Sequence, residues 1–525
     1  MADERNVVRV CRENARMEKG KMWICRLGIL LFFLLICYVN LFHYTDRMNA
    51  DIASEAVLGR TIWESRQWIP DSWYPSTEVR VVGTANLSAL FYGITGDMGL
   101  SMGLSCIGGA VLIIFSMIFM VKASGGSKST WGILVFLMLA LPADYSLLEV
   151  LYVFAGYYAG HVAAFFFTLG VYGGILRRKN VKRGLMAVSI LLGFLLGMQG
   201  SRGMLVIYGP LFAVEAVRQC SIVFRQRLGG AKREKWELQV GVWVLGNCLF
   251  NFLGSRLPIS VSFGFSRNIR RGLLKLWEVV IPDIASVLGF YNAGTFGKAC
   301  FLLLLFNACF VFFGIVRKFW EGRELTPLEW VYLVTCASPV MTALMVSFTT
   351  VDSTGRYYFV FFIMLCMAVV LLFLKERRWI PIKLLAFVAA GYLILANLMH
   401  LYLPMTGSKE LPETEYTAVT DFLEEKGIGL AYATFENANT MTVLSKGRVQ
   451  VASVASVERM DICKWLSCTN WYPPEAPRNQ VTAYLVTESQ MPEFMLFLKD
   501  KEIQEAEQMG RFHIFISDYN YTNME

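Results

Sequence analysis

Runs of about twenty apolar residues recur along this chain, and no other feature constrains its fold so tightly. In hydrocarbon every backbone N–H and C=O must find its partner within the protein, so such a run is stable there only as a helix. The first run is Trp23 to Phe42. Others follow at 100–121, 131–143, 148–176, 184–200, 203–219, 237–256, 297–316, 328–350, 357–374 and 380–403. The chain is therefore read as an α-helical polytopic membrane protein with about 11 transmembrane helices. The 131–143 run is short and pairs in this reading with 144–150.

Composition agrees. Hydrophobic residues make up 55% and charged residues 17%, against ~45–50% and ~25% in soluble domains. This excludes a disordered chain, a secreted disulfide scaffold and an ordinary cytosolic enzyme. The formal net charge of +8 hides an asymmetry: residues 406–525 hold 10 Lys and Arg against 18 Asp and Glu, and the rest of the chain holds 39 against 23. That basic excess sits in short clusters between apolar runs, so it reads as membrane orientation and not as nucleic-acid binding.

The clusters set an orientation. Arg5, Arg9, Arg12, Arg16, Lys19 and Lys21 precede the first run and place segment 1–22 in the cytoplasm. The run is long for a cleaved signal peptide and lacks a small-residue cleavage site, so a signal anchor is the preferred reading. Alternate connections carry Lys122 and Lys128, Arg177 to Arg183, Arg225 to Lys235, Arg317 to Arg323, and Lys375 to Arg378. The domain 23–403 then has long exterior loops at 44–99 and 257–296, and 404–525 forms a small exterior α/β domain. In that tail 417–426 and 489–499 read as helices, and 429–434, 448–457, 481–486 and 512–516 as strands. The stretch Val81 to Gly96 is apolar enough to lie on or dip into the membrane surface. Most of the 12 Cys lie singly in apolar runs, as small hydrophobes. Only Cys463 and Cys468 are close, and either a disulfide or a free pair fits them.

Three features could carry chemistry. Asp51 and Glu55 stand at i,i+4 just beyond the first span, so a helix puts both carboxylates on one face at headgroup depth. There they can act as a general base or hold a cation; the rival reading is solvated charge at a helix N-terminus. Trp73-Tyr74, Glu78 and Arg80 suit sugar or headgroup contact, against an interfacial aromatic belt. Finally, exterior Arg202, Arg267, Arg270, Arg271, Lys275 and Arg356 (beside Tyr357) run against the positive-inside trend, and arginine binds phosphate with a bidentate fork. Salt bridging to loop carboxylates is the alternative. His161, within an apolar run, reads as a packed residue and not a ligand. Ionisable residues are few in mid-span, with Glu215 near a cytoplasmic end. No nucleotide-binding fingerprint is visible. The scarcity of mid-span charge weighs against an ion-coupled transporter, and no inverted repeat is apparent either.

One span, then Asp51-x-x-x-Glu55-x-x-Leu58, then Trp73-Tyr74-x-Ser76-Thr77-Glu78-x-Arg80, together with Arg356-Tyr357 and an exterior α/β tail, resembles bacterial members of the type-C (GT-C) membrane glycosyltransferase superfamily. The resemblance implies a polyprenyl-phosphate-sugar donor, a cell-envelope acceptor and inverting transfer on the outer face. It makes Asp51 the general base, and Glu55 an orienter of the acceptor or sharer of a cation. Arg202 and Arg356 stabilise the leaving phosphate, with Arg270, Tyr357, Trp73, Tyr74, Glu78 and Arg80 as further substrate contacts. Many members carry paired acids in this loop. Here residue 52 is Ile, which leaves a divalent cation open as a cofactor and keeps Asp46 beside Asp51 as a candidate base. The partners expected are the lipid-phosphate sugar, the acceptor and the bilayer, with no nucleic acid. A transporter or flippase of a lipid-linked saccharide is the second reading, and a catalytically inactive scaffold with a sensing tail the third.

Overall fold

The structure, a computed structural model, describes residues 23–180, 182–227, 234–257, 268–374, 379–407, 413–499 and 501–523. The basic N-terminal segment, Arg267 and the Lys375–Arg378 cluster lie outside the described residues. In chain order the helices are α1 (Trp23–Phe42), α2 (Ala50–Ser65), α3 (Thr84–Thr95), α4 (Met98–Ala123), α5 (Lys128–Ala140), α6 (Tyr145–Leu151), α7 (Ala159–Arg178) and α8 (Arg183–Gln199). Next come α9 (Met204–Arg227), α10 (Lys235–Gly254), α11 (Ile269–Lys275), α12 (Ile281–Val287), α13 (Thr295–Trp320), α14 (Pro327–Ser347), α15 (Phe359–Phe373) and α16 (Ile380–Met405). The tail adds α17 (Glu413–Glu425), α18 (Phe435–Leu444) and α19 (Met491–Leu498).

Among the described residues, 8 helices are long and apolar enough to cross a membrane: α1, α4, α7, α9, α13, α14, α16 and α15 with its preceding 3-10 turn. The protein is thus a multi-pass, helical membrane protein. The chain divides into two compact units, one of 1–36, 110–151 and 158–404, the other of 37–109, 152–157 and 405–525.

In the first unit, α8 and α10 pack through small residues. A Cβ at Gly197 would stand 2.1 Å from the Asn251 carbonyl oxygen, and one at Gly254 would stand 2.2 Å from that of Phe194. Lipid tails supply no hydrophobic drive between helices, so close backbone approach and polar contacts take its place. Asn251 Nδ2 donates to the Gly193 carbonyl at 2.8 Å, and Ser189 Oγ to Asn247 Oδ1 at 2.9 Å. Gly193 and Gly197 stand four apart, the small-xxx-small spacing that such a contact requires.

The second unit corrects one expectation. The run 148–176 is not a single helix: residues 152–158 lie between α6 and α7, with positive φ at Phe154 and Gly156. Apolar composition could not reveal the break, because 152–157 is buried in protein, the one setting in which irregular backbone tolerates an apolar medium. Asn40, on α1, meets the exposed backbone groups: its Nδ2 donates to Tyr152 O at 2.9 Å and its Oδ1 accepts from Phe154 N at 3.0 Å.

The tail of the same unit is a six-stranded sheet in the order β4-β3-β2-β6-β8-β7. Its strands are β2 (Leu430–Thr434), β3 (Gln450–Ser456), β4 (Asp461–Ile462), β6 (Thr482–Thr487), β7 (Gln504–Met509) and β8 (Phe512–Ser517); β1 (Trp73–Tyr74) and β5 (Ser467–Cys468) make a separate pair. β3, β2 and β6 run parallel, the other neighbours antiparallel. Period-two alternation sends Ala431 and Ala433 to one face, under α17 and α18, and Tyr432 to the other, with Phe494 and Phe497 of α19. The expected strands and flanking helices are present. Two elements carry no local signal. β7 is mostly polar, with only Ala506 and Met509 apolar, because it is an exposed edge strand. α18 is rich in Asn and Thr, weak helix formers, and is held by Ala438 and Met441 against the sheet and by α2.

Candidate functional site

The site begins at the N-terminus of α2. Asn49 caps the helix by accepting from Ile52 N at 2.9 Å, a device worth about 1 kcal/mol. Asp51 stands half-buried in the first turn and Glu55 one turn further on. Both lie on the helix, as their i,i+4 spacing requires. Asp46 is off it, in a 3-10 turn, with its Oδ2 hydrogen-bonded to His43 Nδ1 at 2.7 Å. Of the two candidate bases, Asp51 is the one that α2 presents.

Glu55 is 3% exposed, and both its oxygens accept from Arg80 Nε, at 2.7 and 3.0 Å; Arg80 Nη2 lies 2.6 Å from Oε1. Arg80 also reaches Glu78 at 3.2 Å and lies 5.8 Å from the centre of the Tyr157 ring. Glu55 is therefore a buried partner of Arg80. It is not a solvated charge at the helix N-terminus, and Arg80 and Glu78 belong to the same cluster. Among the described residues no three His, Cys, Asp or Glu side chains converge to hold a metal ion.

Trp73 and Tyr74 form β1 and pair with β5, Trp73 against Cys468 and Tyr74 against Ser467. Trp73 is buried edge-on to Trp471 at 6.2 Å, and Tyr74 packs on the tyrosine-rich face of the tail sheet. Trp73 is buried in this seam of the unit and Tyr74 is partly buried there. Cys463 and Cys468 are free thiols, and burial raises the pKa of each.

In the first unit the exterior arginines separate. The Arg202 guanidinium lies 4.0 Å from the ring centre of Tyr158 and 4.8 Å from that of Tyr357. Such cation–π contacts are worth ~0.5–2 kcal/mol each and fix the plane of the fork. Tyr158 precedes α7, and its ring also packs against Phe359 at 5.4 Å and His161 at 6.1 Å. Arg356 and Tyr357 sit in the 3-10 turn Gly355–Tyr358, with Gly355 close against Asp283 and Val287 of α12. Arg270 is exposed on α11. Lys275 on the same helix donates to the Thr349 and Val351 carbonyls at 3.0 and 2.5 Å, and desolvation lowers its pKa. The structure thus brings Arg202 and Tyr357 together and adds Tyr158. The aromatic-rich turn before α7 was the available signal for Tyr158.

No known protein family matches the chain. Nor does any curated protein.

A further ion pair, fully buried, involves the Glu215 noted near a cytoplasmic end. Glu215 accepts from Arg218 at 2.8 and 2.9 Å and from Tyr172 Oη at 2.9 Å, and both charged residues are buried. The i,i+3 spacing of the two charges within an apolar run was its sequence mark.

Proposed function

We propose that this protein is a membrane glycosyltransferase of the type-C kind, moving a sugar from a polyprenyl phosphate to a cell-envelope acceptor on the outer face. The observation that carries the reading is Arg202, a planar cation set against two aromatic rings and so pre-organised to bind the oxygens of a phosphate. In this reading α5, α8 and α10 join the eight helices named above as spans, for a total of about eleven. An odd number starting inside puts the α/β tail outside, with the cationic clusters cytoplasmic.

The roles in the reaction are those that the resemblance implies. Asp51 takes the proton of the acceptor hydroxyl as its oxygen attacks the anomeric carbon from the face opposite the lipid. The bond from that carbon to the phosphate oxygen breaks, the phosphate leaves with the electron pair, and the configuration inverts. The resemblance gives Arg202 and Arg356 the stabilisation of the charge that develops on the leaving group, the contribution that usually dominates. Glu55 and Arg80 act by holding α2 in place and do not touch substrate.

The test uses purified full-length protein in nanodiscs with undecaprenyl- and dolichyl-phosphate sugars. Release of free lipid phosphate with transfer of the sugar is the expected result. Movement of lipid across the bilayer with its glycan intact would establish the flippase instead. Within the same assay Arg202→Lys keeps the charge and loses the fork. Its apparent KM for the donor should rise about tenfold, equivalent to ~1.4 kcal/mol, with thermal stability unchanged. An unaltered KM would remove Arg202 from the donor site.

A further inference from the structure

Helix α3 keeps its large aliphatic side chains outside. Its buried residues are small or polar, Thr84, Ala85, Asn86, Ser88 and Ala89, while Leu90 and Ile94 are 51% and 83% exposed. The inward polar groups find partners within the unit. Thr84 Oγ1 donates to Ala155 O at 2.5 Å, Asn86 Nδ2 to Arg80 O at 3.0 Å, and Ser88 Oγ to Ala85 O at 2.8 Å. Leaving two large aliphatic side chains in water forgoes the main driving force of folding, whereas acyl chains would cover them.

Two further observations identify the cover. α3 is joined to α4 through Gly96 and Asp97 alone, and α4 is a span whose opening turn exposes Leu100, so the apolar face continues a lipid-facing surface. Trp68, half-exposed, donates its indole N–H to Val81 O at 2.9 Å. An apolar ring with a satisfied polar edge is what the membrane–water boundary selects. At ~1.5 Å per residue the 12 residues of α3 extend about 18 Å, too short for a core of ~30 Å.

The opposite side of α3 carries α2. A Cβ at Gly59 would stand 2.0 Å from Ser88 Oγ, and one at Gly93 would stand 2.4 Å from the Trp63 ring, so the two helices are locked in close contact. We infer that α3 lies half-immersed in the leaflet where α4 begins, with Leu90 and Ile94 on the acyl chains, and that it fixes the depth at which α2 holds Asp51 and the Glu55–Arg80 pair. This inference does not depend on the glycosyltransferase reading.

An encoded dansylalanine replaces Ile94, and separately Leu90, with Glu505 on the exposed β7 strand as the aqueous reference. Each protein is reconstituted in phosphatidylcholine nanodiscs brominated either near the carbonyls or near the midplane. Because the acyl region excludes iodide, bromolipid should quench positions 94 and 90 about threefold or more above 505, and iodide should show the reverse order. Shallow bromines should quench more than deep ones. Iodide reaching 94 and 90 as readily as 505 would overturn the inference, and so would stronger quenching from the midplane. Should one variant fail to reconstitute, the other carries the same comparison.

Discussion

Asp51→Asn is expected to lower the rate of lipid-phosphate release by ~10²–10⁴-fold, the usual contribution of a positioned general base. The protein should fold as before. Asp51 is half-buried in the first turn of a helix that already has its cap in Asn49, and asparagine preserves the size of the side chain. The loss should fall on kcat, because the proton is taken only as the acceptor attacks. Glu55→Gln separates this role from a structural one. It removes the closer of the two carboxylates paired with Arg80 and leaves only Glu78 at 3.2 Å, so it should lower the melting temperature, an effect that Asp51→Asn should not share. Wild-type turnover in Asp51→Asn would end the assignment of the base and favour the inactive scaffold.

Glu215→Leu is expected to cost ~3–5 kcal/mol of stability, because Arg218 would remain buried without the carboxylate it is paired with. The loss should appear as a large drop in melting temperature in detergent. The double variant E215L/R218M should recover most of it, since replacing a whole buried pair by apolar groups of similar volume is often neutral. If the double variant is as unstable as the single one, Tyr172 and Gln219, which also donate to Glu215, hold the helices through the carboxylate and not through its charge.

The membrane class, most spans and the strands of the tail were legible because each depends on a local pattern. An apolar run or a period-two alternation states which solvent a segment prefers, and that preference survives without knowledge of neighbours. The same logic explains the failures. The break at 152–158 looks like a continuous span because it is apolar and buried in protein, and β7 looks like a loop because an edge strand hides neither face.

At the candidate site the sequence determined the residue types and their helical spacing: Asp51 and Glu55 one turn apart, and Arg356 beside Tyr357. It could not determine their partners. Glu55 meets Arg80 from 25 residues away, and Arg202 meets Tyr158 and Tyr357 from other segments. Whether a carboxylate is free for chemistry or neutralised by an arginine depends on distances of a few ångströms between distant parts of the chain. Those distances are set by how buried backbone and charge are satisfied together, a condition that only the folded chain imposes.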